Sequence, residues 1–561
     1  MVPKTSAGSR RAFVGWAVGA YLVTLGLLLV LALRRSSGTL VYAIDDPAIH
    51  LSIAQNLIHH GTWGVVPGEF QSASSSPLWT LAVAATSVLL PFAPELGPLL
   101  LNVVASIVLL MLLGAHQRVL QPSRHRPADA VAVVALVVVI LFLPALTMLG
   151  MEHIAHTAMI VWAVVCFARR AAGETGGRRW LPYLLVALAT LTRFETLFVV
   201  AGLVAAELAI VLPGWRPAGR DGVTLGGQVR HSAGIAAAAI VPFVGFVALN
   251  VAMGQGLLPN SVLSKGPAVS GLADTFSPEE LQHRLADDPL LAALAALTLA
   301  LLLVGWRQGR RSTYGLVVLF VATVAHVLLA QVGWYERYQA YLITLAVFVL
   351  LDVAAEIVPA ERRAPTPHTP LVAGLVLSAL LLSGTKINLA RQVPLAVADT
   401  YGQRYQAARF LERFYDGAPI ATSELGYISL LHDGPVTDVL GLGDYAVLEE
   451  RRRNGQEPSP AYWAQLADER GFDVVVVYPG TMLYQVPDAW ILAGSWKLDR
   501  DTVTAWDPEL DFYATSPEAL APLQAQLAAF APELPPGITT SINELAPLRA
   551  EALAAEAAAG D

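Results

Sequence analysis

Long apolar runs, such as AVAVVALVVVILFLPALTMLG at 130–150, recur through the first 386 residues and alternate with short arginine-rich loops. A helix needs about 20 mostly apolar residues to cross a bilayer. Only 14% of the 561 residues are charged, whereas an ordinary soluble domain carries about 25%. The sequence therefore predicts a polytopic α-helical membrane protein. The first run has no small-residue cleavage site at its end, so we expect it to remain as an anchor.

Arginine-rich loops decide the predicted topology. About 11 spans are expected, at 13–33, 98–114, 128–149, 152–168, 180–193, 197–213, 232–252, 289–305, 313–331, 338–358 and 369–385. The basic loops between them lie two spans apart, so all share one side, which the positive-inside rule makes cytoplasmic. The N-terminus is then cytoplasmic, in what we take to be a bacterial inner membrane. Residues 77–92 cannot cross on this count, and we expect them to form a juxtamembrane or re-entrant outer helix.

The chain divides into two predicted domains. Residues 1–386 form the membrane domain, whose first outer loop is 34–97, and residues 387–561 lose the long apolar runs. Short strands are predicted at 419–431, 435–442 and 472–480, and helices at 405–415 and 460–471, whereas 545–559 is either a polar-faced helix or a frayed tail. Alternation of the two types indicates an extracytoplasmic α/β domain. No P-loop, dinucleotide fingerprint or zinc-finger spacing is present, and nothing indicates a nucleic-acid partner.

Two adjacent carboxylates, Asp45 and Asp46, follow the first span. Pro47 suits the first turn of a helix, so Asp46 can be a helix cap and Asp45 merely solvated. The predicted helix 47–60 carries an apolar face typical of a helix lying on the membrane. Acids at its start would then meet a lipid-linked substrate, where a carboxylate can act as a general base.

Three polar residues, Glu152, His153 and His156, open a later span as GMEHIAHT. A divalent ion held by Asp45 or Asp46 with Glu152 and a histidine is one interpretation. The alternative is hydrogen bonding that fixes helix ends, which we prefer for His156. Ionisable residues at membrane depth are costly and usually functional.

Basic and aromatic residues recur in the other predicted outer turns. Arg193 and Glu195 interrupt an apolar run and either pair with each other or leave Arg193 for a phosphate. Lys265 lies in the loop GLLPNSVLSKG, and Arg337 in GWYERYQAY beside Trp334 and Tyr335. The aromatics can be an interfacial belt, or a sugar platform beside an arginine that binds a lipid phosphate.

The order of these motifs resembles that of the bacterial GT-C superfamily of polytopic glycosyltransferases. The motifs are Asp-Asp after the first span, then NLIHHGTWG (56–64), Pro-Gly-Glu (67–69) and SSPLWT (75–80), and later GMEHIAH, TRFE, LLPNSVLSKG and GWYERY. The layout is similar to that of the mycobacterial terminal arabinofuranosyltransferases, which also carry a C-terminal soluble domain. It is more distantly similar to the aminoarabinose and protein mannosyl transferases.

The resemblance implies a membrane glycosyltransferase with a polyprenyl-phosphate sugar as donor and a glycan, lipid or protein outside the cytoplasm as acceptor. It places the acidic base at Asp45 or Asp46, with Asp45 favoured, and the basic residues that hold the leaving phosphate at Arg337 and Lys265. Inversion at the anomeric carbon is expected. Some members need a divalent metal such as Mg²⁺ or Mn²⁺, so metal use stays open.

Two other classes of protein compete with this interpretation. A secondary transporter would place ionisable residues near the midplane and carry an internal repeat, and we find neither. A non-catalytic subunit for cell-envelope assembly or export would tolerate loss of Asp45, whereas an enzyme using it as base would not.

Overall fold

The structure is a computed structural model that describes residues 7–116, 127–174, 176–211, 224–264, 277–307, 312–331, 333–357, 385–453, 457–482 and 485–560. All structural statements below concern these residues.

Fifteen helices up to residue 357 build the membrane part. They are α1 (Ala7–Arg35), α2 (Asp46–His60), α3 (Pro77–Leu89), α4 (Leu96–His116), α5 (Pro127–Val134), α6 (Leu143–Met148), α7 (His153–Ala171), α8 (Leu181–Thr192), α9 (Thr196–Ala209), α10 (Leu225–Ala252), α11 (Asn260–Leu263), α12 (Pro278–Asp287), α13 (Pro289–Arg307), α14 (Thr313–Leu329) and α15 (Ala340–Ile357). A π-helical turn, Ala135–Ile140, continues α5.

Seven helices of the described ranges are long and apolar enough to cross a membrane, and α3, α8, α9 and α14 are shorter apolar helices. The seven are Arg10–Arg35, Leu96–His116, Val131–Met148, His153–Ala171, Leu225–Ala252, Pro289–Trp306 and Ala340–Ile357. The helical membrane fold is therefore confirmed. Helix α3 has 13 residues, or about 20 Å at 1.5 Å per residue, which is short of a bilayer core of about 30 Å. The predicted span 369–385 lies almost wholly outside the described residues.

Helix α2 is packed inside the protein. It contacts α3 on one side and a helix of the soluble domain on another, and most of its residues are buried. Ile49 and Ile53, on the face expected to meet lipid, are 8% and 0% exposed. The expectation of a helix lying on the membrane is wrong here, because the soluble domain covers this part of the first outer loop.

The C-terminal part contains a mixed sheet and seven further helices. They are α16 (385–399), continued by a π-helical turn at Thr400–Tyr405, α17 (Gln406–Phe414), α18 (Leu425–Leu431), α19 (Tyr445–Arg453), α20 (Pro460–Arg470), α21 (Pro517–Phe530) and α22 (Ala546–Gly560). The strands are β1 (Ile420–Thr422), β2 (Val436–Asp438), β3 (Val474–Val477), β4 (Ile491–Leu498), β5 (Glu509–Ala514) and β6 (Ile538–Ile542), in the order β2-β1-β3-β5-β4-β6.

The sheet confirms the predicted α/β domain and corrects its details. Strands β1, β2 and β3 pair in parallel, whereas β5, β4 and β6 are antiparallel. The strand expected at 419–431 ends at Thr422, and the rest of that segment is α18. The predicted helices near 405–415 and 460–471 are present, and the segment near 545–559 is helical. The fully buried run Val474–Val477 lies at the centre of the sheet, as its four consecutive valines predict.

Candidate functional site

A cavity of about 890 Å³ lies where several helix ends of the membrane domain meet the soluble domain. Its polar wall comes from the start of α2, the start of α7, the turn between α8 and α9, and the segment before α15. Its apolar wall carries phenylalanines and leucines of the membrane domain, among them Phe194, Phe198, Phe243 and Leu329. The cavity therefore has an ionic region beside an apolar one.

Arg337 forms the centre of the ionic wall. Its Nη2 lies 2.8 Å from Asp46 Oδ2 and donates to the Tyr338 hydroxyl at 2.9 Å. The side chain is 2% exposed, yet Nε and Nη1 have no hydrogen-bond partner among the described residues. Unmade hydrogen bonds on a buried guanidinium are costly, so these atoms are suited to an anionic ligand.

Tyr338 lies between two guanidinium groups. The Cζ atoms of Arg337 and Arg193 are 4.9 Å and 5.5 Å from its ring centre. Each cation is within the distance at which a ring face attracts it. The tyrosine thereby holds two arginines at the same cavity despite their mutual repulsion.

Arg193 is fixed by two carboxylates that stand at the N-terminal ends of the neighbouring helices α7 and α9. Its Nη1 donates to Glu152 Oε1 at 2.6 Å and to His153 Nε2 at 2.8 Å, and its Nη2 pairs with Glu195. Burial would raise the pKa of Glu195, but the charge of Arg193 outweighs burial and lowers that pKa to about 2. Arg193 therefore pairs with Glu195, as one of the two sequence interpretations held, and is less available to a phosphate than Arg337.

A hydrogen-bonded histidine extends this network. His50 Nδ1 lies 2.8 Å from Thr80 Oγ1, and its Nε2 is 4.0 Å from Glu152 Oε2. Burial lowers the pKa of His50, which favours the neutral ring. Deeper in α7, His156 Nε2 lies 3.0 Å from Thr196 Oγ1 of α9, which is the helix-fixing contact that the sequence favoured.

An unusual turn aims Arg337 at the cavity. Gly333, Trp334, Tyr335 and Glu336 all have positive φ, at 80°, 48°, 63° and 55°. Left-handed backbone costs roughly 1–2 kcal/mol per non-glycine residue, so the surroundings must hold it in place. Glu336 pairs with the buried Lys386 of α16, whose ammonium lies 5.0 Å from the Phe142 ring centre.

Asp45 faces a different part of the molecule from Asp46. Its Oδ2 accepts the Gly426 N–H at 2.5 Å and its Oδ1 accepts the Tyr427 N–H at 3.1 Å. It is 9% exposed, and burial raises its pKa although Arg404 and these two N–H groups act in the opposite direction. The solvated Asp45 considered from sequence is therefore wrong. Asp45 is the N-cap residue of α2, although its side chain makes no capping hydrogen bond, and Asp46 is the first residue of the helix.

A second cavity, of about 470 Å³, adjoins the first. Asp46, Ile49, Arg337, Tyr338 and Leu442 line both. The second cavity also contains Asp45 and Trp334, together with polar residues of the soluble domain. Asp46 therefore stands in the wall that the two cavities share.

Two expected aromatic residues are not part of the lining of the first cavity, and one expected lysine lies outside the described residues. Lys265 lies outside the described residues, Trp334 lines the second cavity, and Tyr335 is buried in the core and lines neither. The metal ligand set that includes Asp45 is divided, because Glu152 and His153 line the first cavity and Asp45 the second, whereas Asp46 lines both. Within the described ranges, no group of three His, Cys, Asp or Glu residues is suited to a metal.

Sequence reasoning missed several functional candidates. His50 carried a usable signal, because it lies four residues after Asp46 and so shares a helix face with it. Tyr338 belongs to the aromatic segment GWYERYQAY, which gave no reason to single it out from Trp334 and Tyr335. The Arg404–Glu424 ion pair and Lys386 carried none, since each pairs with a residue in a different element, beyond the reach of any local sequence pattern.

Comparisons with known proteins give limited similarity. Residues 392–513 match a family described as "Domain of unknown function (DUF8728)". No curated protein matches the sequence. The fold is similar to the crystal structure of ArnT from Cupriavidus metallidurans in the apo state, with 13% identity, a TM-score of 0.49, and coverage of 90% of this chain and 99% of that chain. It is also similar to ArnT from that organism bound to undecaprenyl phosphate, with 11% identity, a TM-score of 0.45, and coverage of 89% and 99%. Similarity at these scores does not assign an activity, so the function is argued from the site.

Proposed function

We propose that this protein is an inverting membrane glycosyltransferase that moves a sugar from a polyprenyl-phosphate donor to an acceptor outside the cytoplasm. The observation that carries the proposal is Arg337, a buried guanidinium with unpartnered donors among the described residues, in a cavity that joins an ionic wall to an apolar one. A polyprenyl phosphate has the matching chemistry, since its phosphate is anionic and its chain belongs in the bilayer.

Local placement, and not overall charge, supports phosphate binding. Three arginines and four carboxylates line the first cavity. Arg337 offers a planar fork that suits two phosphate oxygens. Lys265 would supply a further positive charge if its loop reaches the cavity, so it stays a candidate.

In the proposed reaction the acceptor oxygen attacks the anomeric carbon of the donor. The bond from that carbon to the phosphate oxygen breaks, and the polyprenyl phosphate leaves with its electron pair while Arg337 stabilises the growing negative charge. The acceptor proton passes to a carboxylate. Asp46 is favoured over Asp45 for this role, because both Asp45 oxygens already accept backbone N–H groups.

The test measures binding of undecaprenyl phosphate to the purified full chain and sugar transfer from polyprenyl-phosphate sugars. Arg337→Gln should weaken binding at least tenfold, since a hydrogen bond to a charged group contributes about 1.5–3 kcal/mol. Arg413→Gln, at an exposed arginine of the soluble domain, should leave it unchanged. Unaltered binding in Arg337→Gln, or no binding by the wild type, would contradict the proposal.

A further inference from the structure

The second cavity lies between the membrane domain and the soluble domain. Residues from the end of β1, from α19 and from the loop between β4 and β5 form its outer wall, and the membrane domain contributes Asp46, Trp334 and Arg337. Its size, about 470 Å³, falls in the range of small-ligand sites. The proposed binding of the donor does not use this second cavity.

Charges in this cavity are balanced and mostly paired. Four arginines (Arg337, Arg404, Arg451 and Arg452) face four carboxylates (Asp45, Asp46, Glu424 and Glu457). Arg404 pairs with Glu424, and Arg451 pairs with Glu457. Because the charges of these two pairs neutralise each other locally, the lining offers donors and acceptors at fixed positions to a neutral polyhydroxylated ligand.

Several buried polar atoms of this lining are unused. Arg404 Nη1 and Thr504 Oγ1 have no hydrogen-bond partner among the described residues, although Arg404 is 4% exposed and Thr504 2%. Buried donors and acceptors of this kind are normally satisfied. Hydroxyl groups of a bound ligand can satisfy both kinds, because each donates and accepts.

Two indole rings line the same cavity and remain open to solvent. Trp506 is 71% exposed and Trp334 is 47% exposed. The loop that carries Trp506 is held in place, because Asp399 accepts the N–H groups of Val503 and Thr504 at 2.6 and 3.1 Å. Arg404 Nη2 also donates to the Thr504 carbonyl at 3.0 Å. Large, fixed, exposed aromatic faces are suited to the C–H face of a sugar ring.

We infer that the second cavity binds the acceptor, and that the acceptor is an uncharged glycan whose ring packs on Trp506 and Trp334. This inference rests on the proposed function. The inference explains why Asp46 lies in the wall that the two cavities share. Its carboxylate can then reach an acceptor hydroxyl in the second cavity, while the donor's anomeric carbon lies in the first. The soluble domain then supplies the surface that selects the acceptor.

The experiment titrates the purified full chain with fluorescently labelled neutral trisaccharides built from arabinose, galactose, glucose or mannose, and separately with undecaprenyl phosphate. We expect at least one trisaccharide to bind the wild type. Trp506→Ala should weaken that binding about five- to tenfold, and Trp506→Phe should retain most of it. Trp180→Ala, at an exposed indole at the start of α8 outside both cavity linings, is the matched control and should bind like the wild type.

The outcomes separate this inference from the proposed function. If undecaprenyl phosphate binds and no neutral trisaccharide does, the acceptor inference is overturned while the donor site stands. Equal trisaccharide affinity in Trp506→Ala also overturns it. So does Trp506-dependent binding of a serine-rich peptide or of phosphatidylglycerol nanodiscs in place of the trisaccharides. Failure to bind undecaprenyl phosphate would instead count against the proposed function.

Discussion

At the scale of residues, the adjacent acids Asp45 and Asp46 have separate environments. Asp45 connects the first outer loop to α18, whereas Asp46 pairs with Arg337 at a wall shared by two cavities. The sequence could predict that an acid pair matters there but not which acid does what. That distinction depends on Gly426 and Tyr427, which are more than 380 residues away.

Arg193 should contribute more to stability than to donor binding. Arg193→Ala would leave Glu152 and Glu195 buried without their counterion, which typically costs about 3–5 kcal/mol. We expect a clear fall in the thermal unfolding temperature of the purified protein. The double variant Arg193→Ala/Glu195→Gln should recover part of it, because one stranded charge is removed. No fall in the single variant would contradict this role.

At the scale of elements, the ends of the membrane helices were more predictable than the loops between them. The turn between α8 and α9 lies where TRFE interrupts an apolar run, because charged residues end membrane helices. The buried environment of α2 could not be predicted, since its amphipathic pattern fits a lipid surface and a protein surface equally. Strands β4, β5 and β6 were missed because their burial depends on each other.

The left-handed turn 333–336 should control how Arg337 meets the donor. A Cβ at Gly333 would meet no atom within 4 Å, so Gly333→Ala tests the backbone alone. The cost of alanine at φ 80° is roughly 1–2 kcal/mol. We expect weaker binding of undecaprenyl phosphate, measured by titration.

Gly19→Ala is the matched control for this turn, because Gly19 lies in α1 with open space around its Cα. Binding by this variant should equal that of the wild type. Equal binding by Gly333→Ala as well would show that the turn does not set the position of Arg337.

At the scale of the whole molecule, the soluble domain is part of the site. Ser52 of α2 donates to the Ser429 carbonyl at 2.9 Å, and the Tyr42 N–H donates to the Tyr427 hydroxyl at 3.1 Å. The division into a membrane part and an α/β part followed from composition alone. The contact between these two parts could not be predicted from composition, because it consists of pairs of residues far apart in the chain that no local pattern encodes.

Glu424 at this contact gives a pH-dependent contribution to stability. Burial raises its pKa from 4.5 to about 7, against the opposing effect of Arg404. The folded state therefore holds this proton more tightly than the unfolded state, so the contribution falls as pH rises from 4.5 to about 7. The unfolding temperature of the wild type minus that of Glu424→Gln should fall over this window. A flat or rising difference would contradict the assignment.

The most direct test of the account compares sugar transfer by the wild type, Asp46→Asn and Asp45→Asn, each normalised to folded protein. Loss of a general base costs roughly 10²–10⁴ in rate, so Asp46→Asn should lose transfer by at least a hundredfold while it still binds undecaprenyl phosphate. Asp45→Asn should unfold at a lower temperature, because its amide has one oxygen to accept a backbone N–H and places an NH₂ group against the other N–H, and its folded fraction should still transfer. Wild-type transfer by Asp46→Asn, or loss of transfer confined to folded Asp45→Asn, would contradict the account.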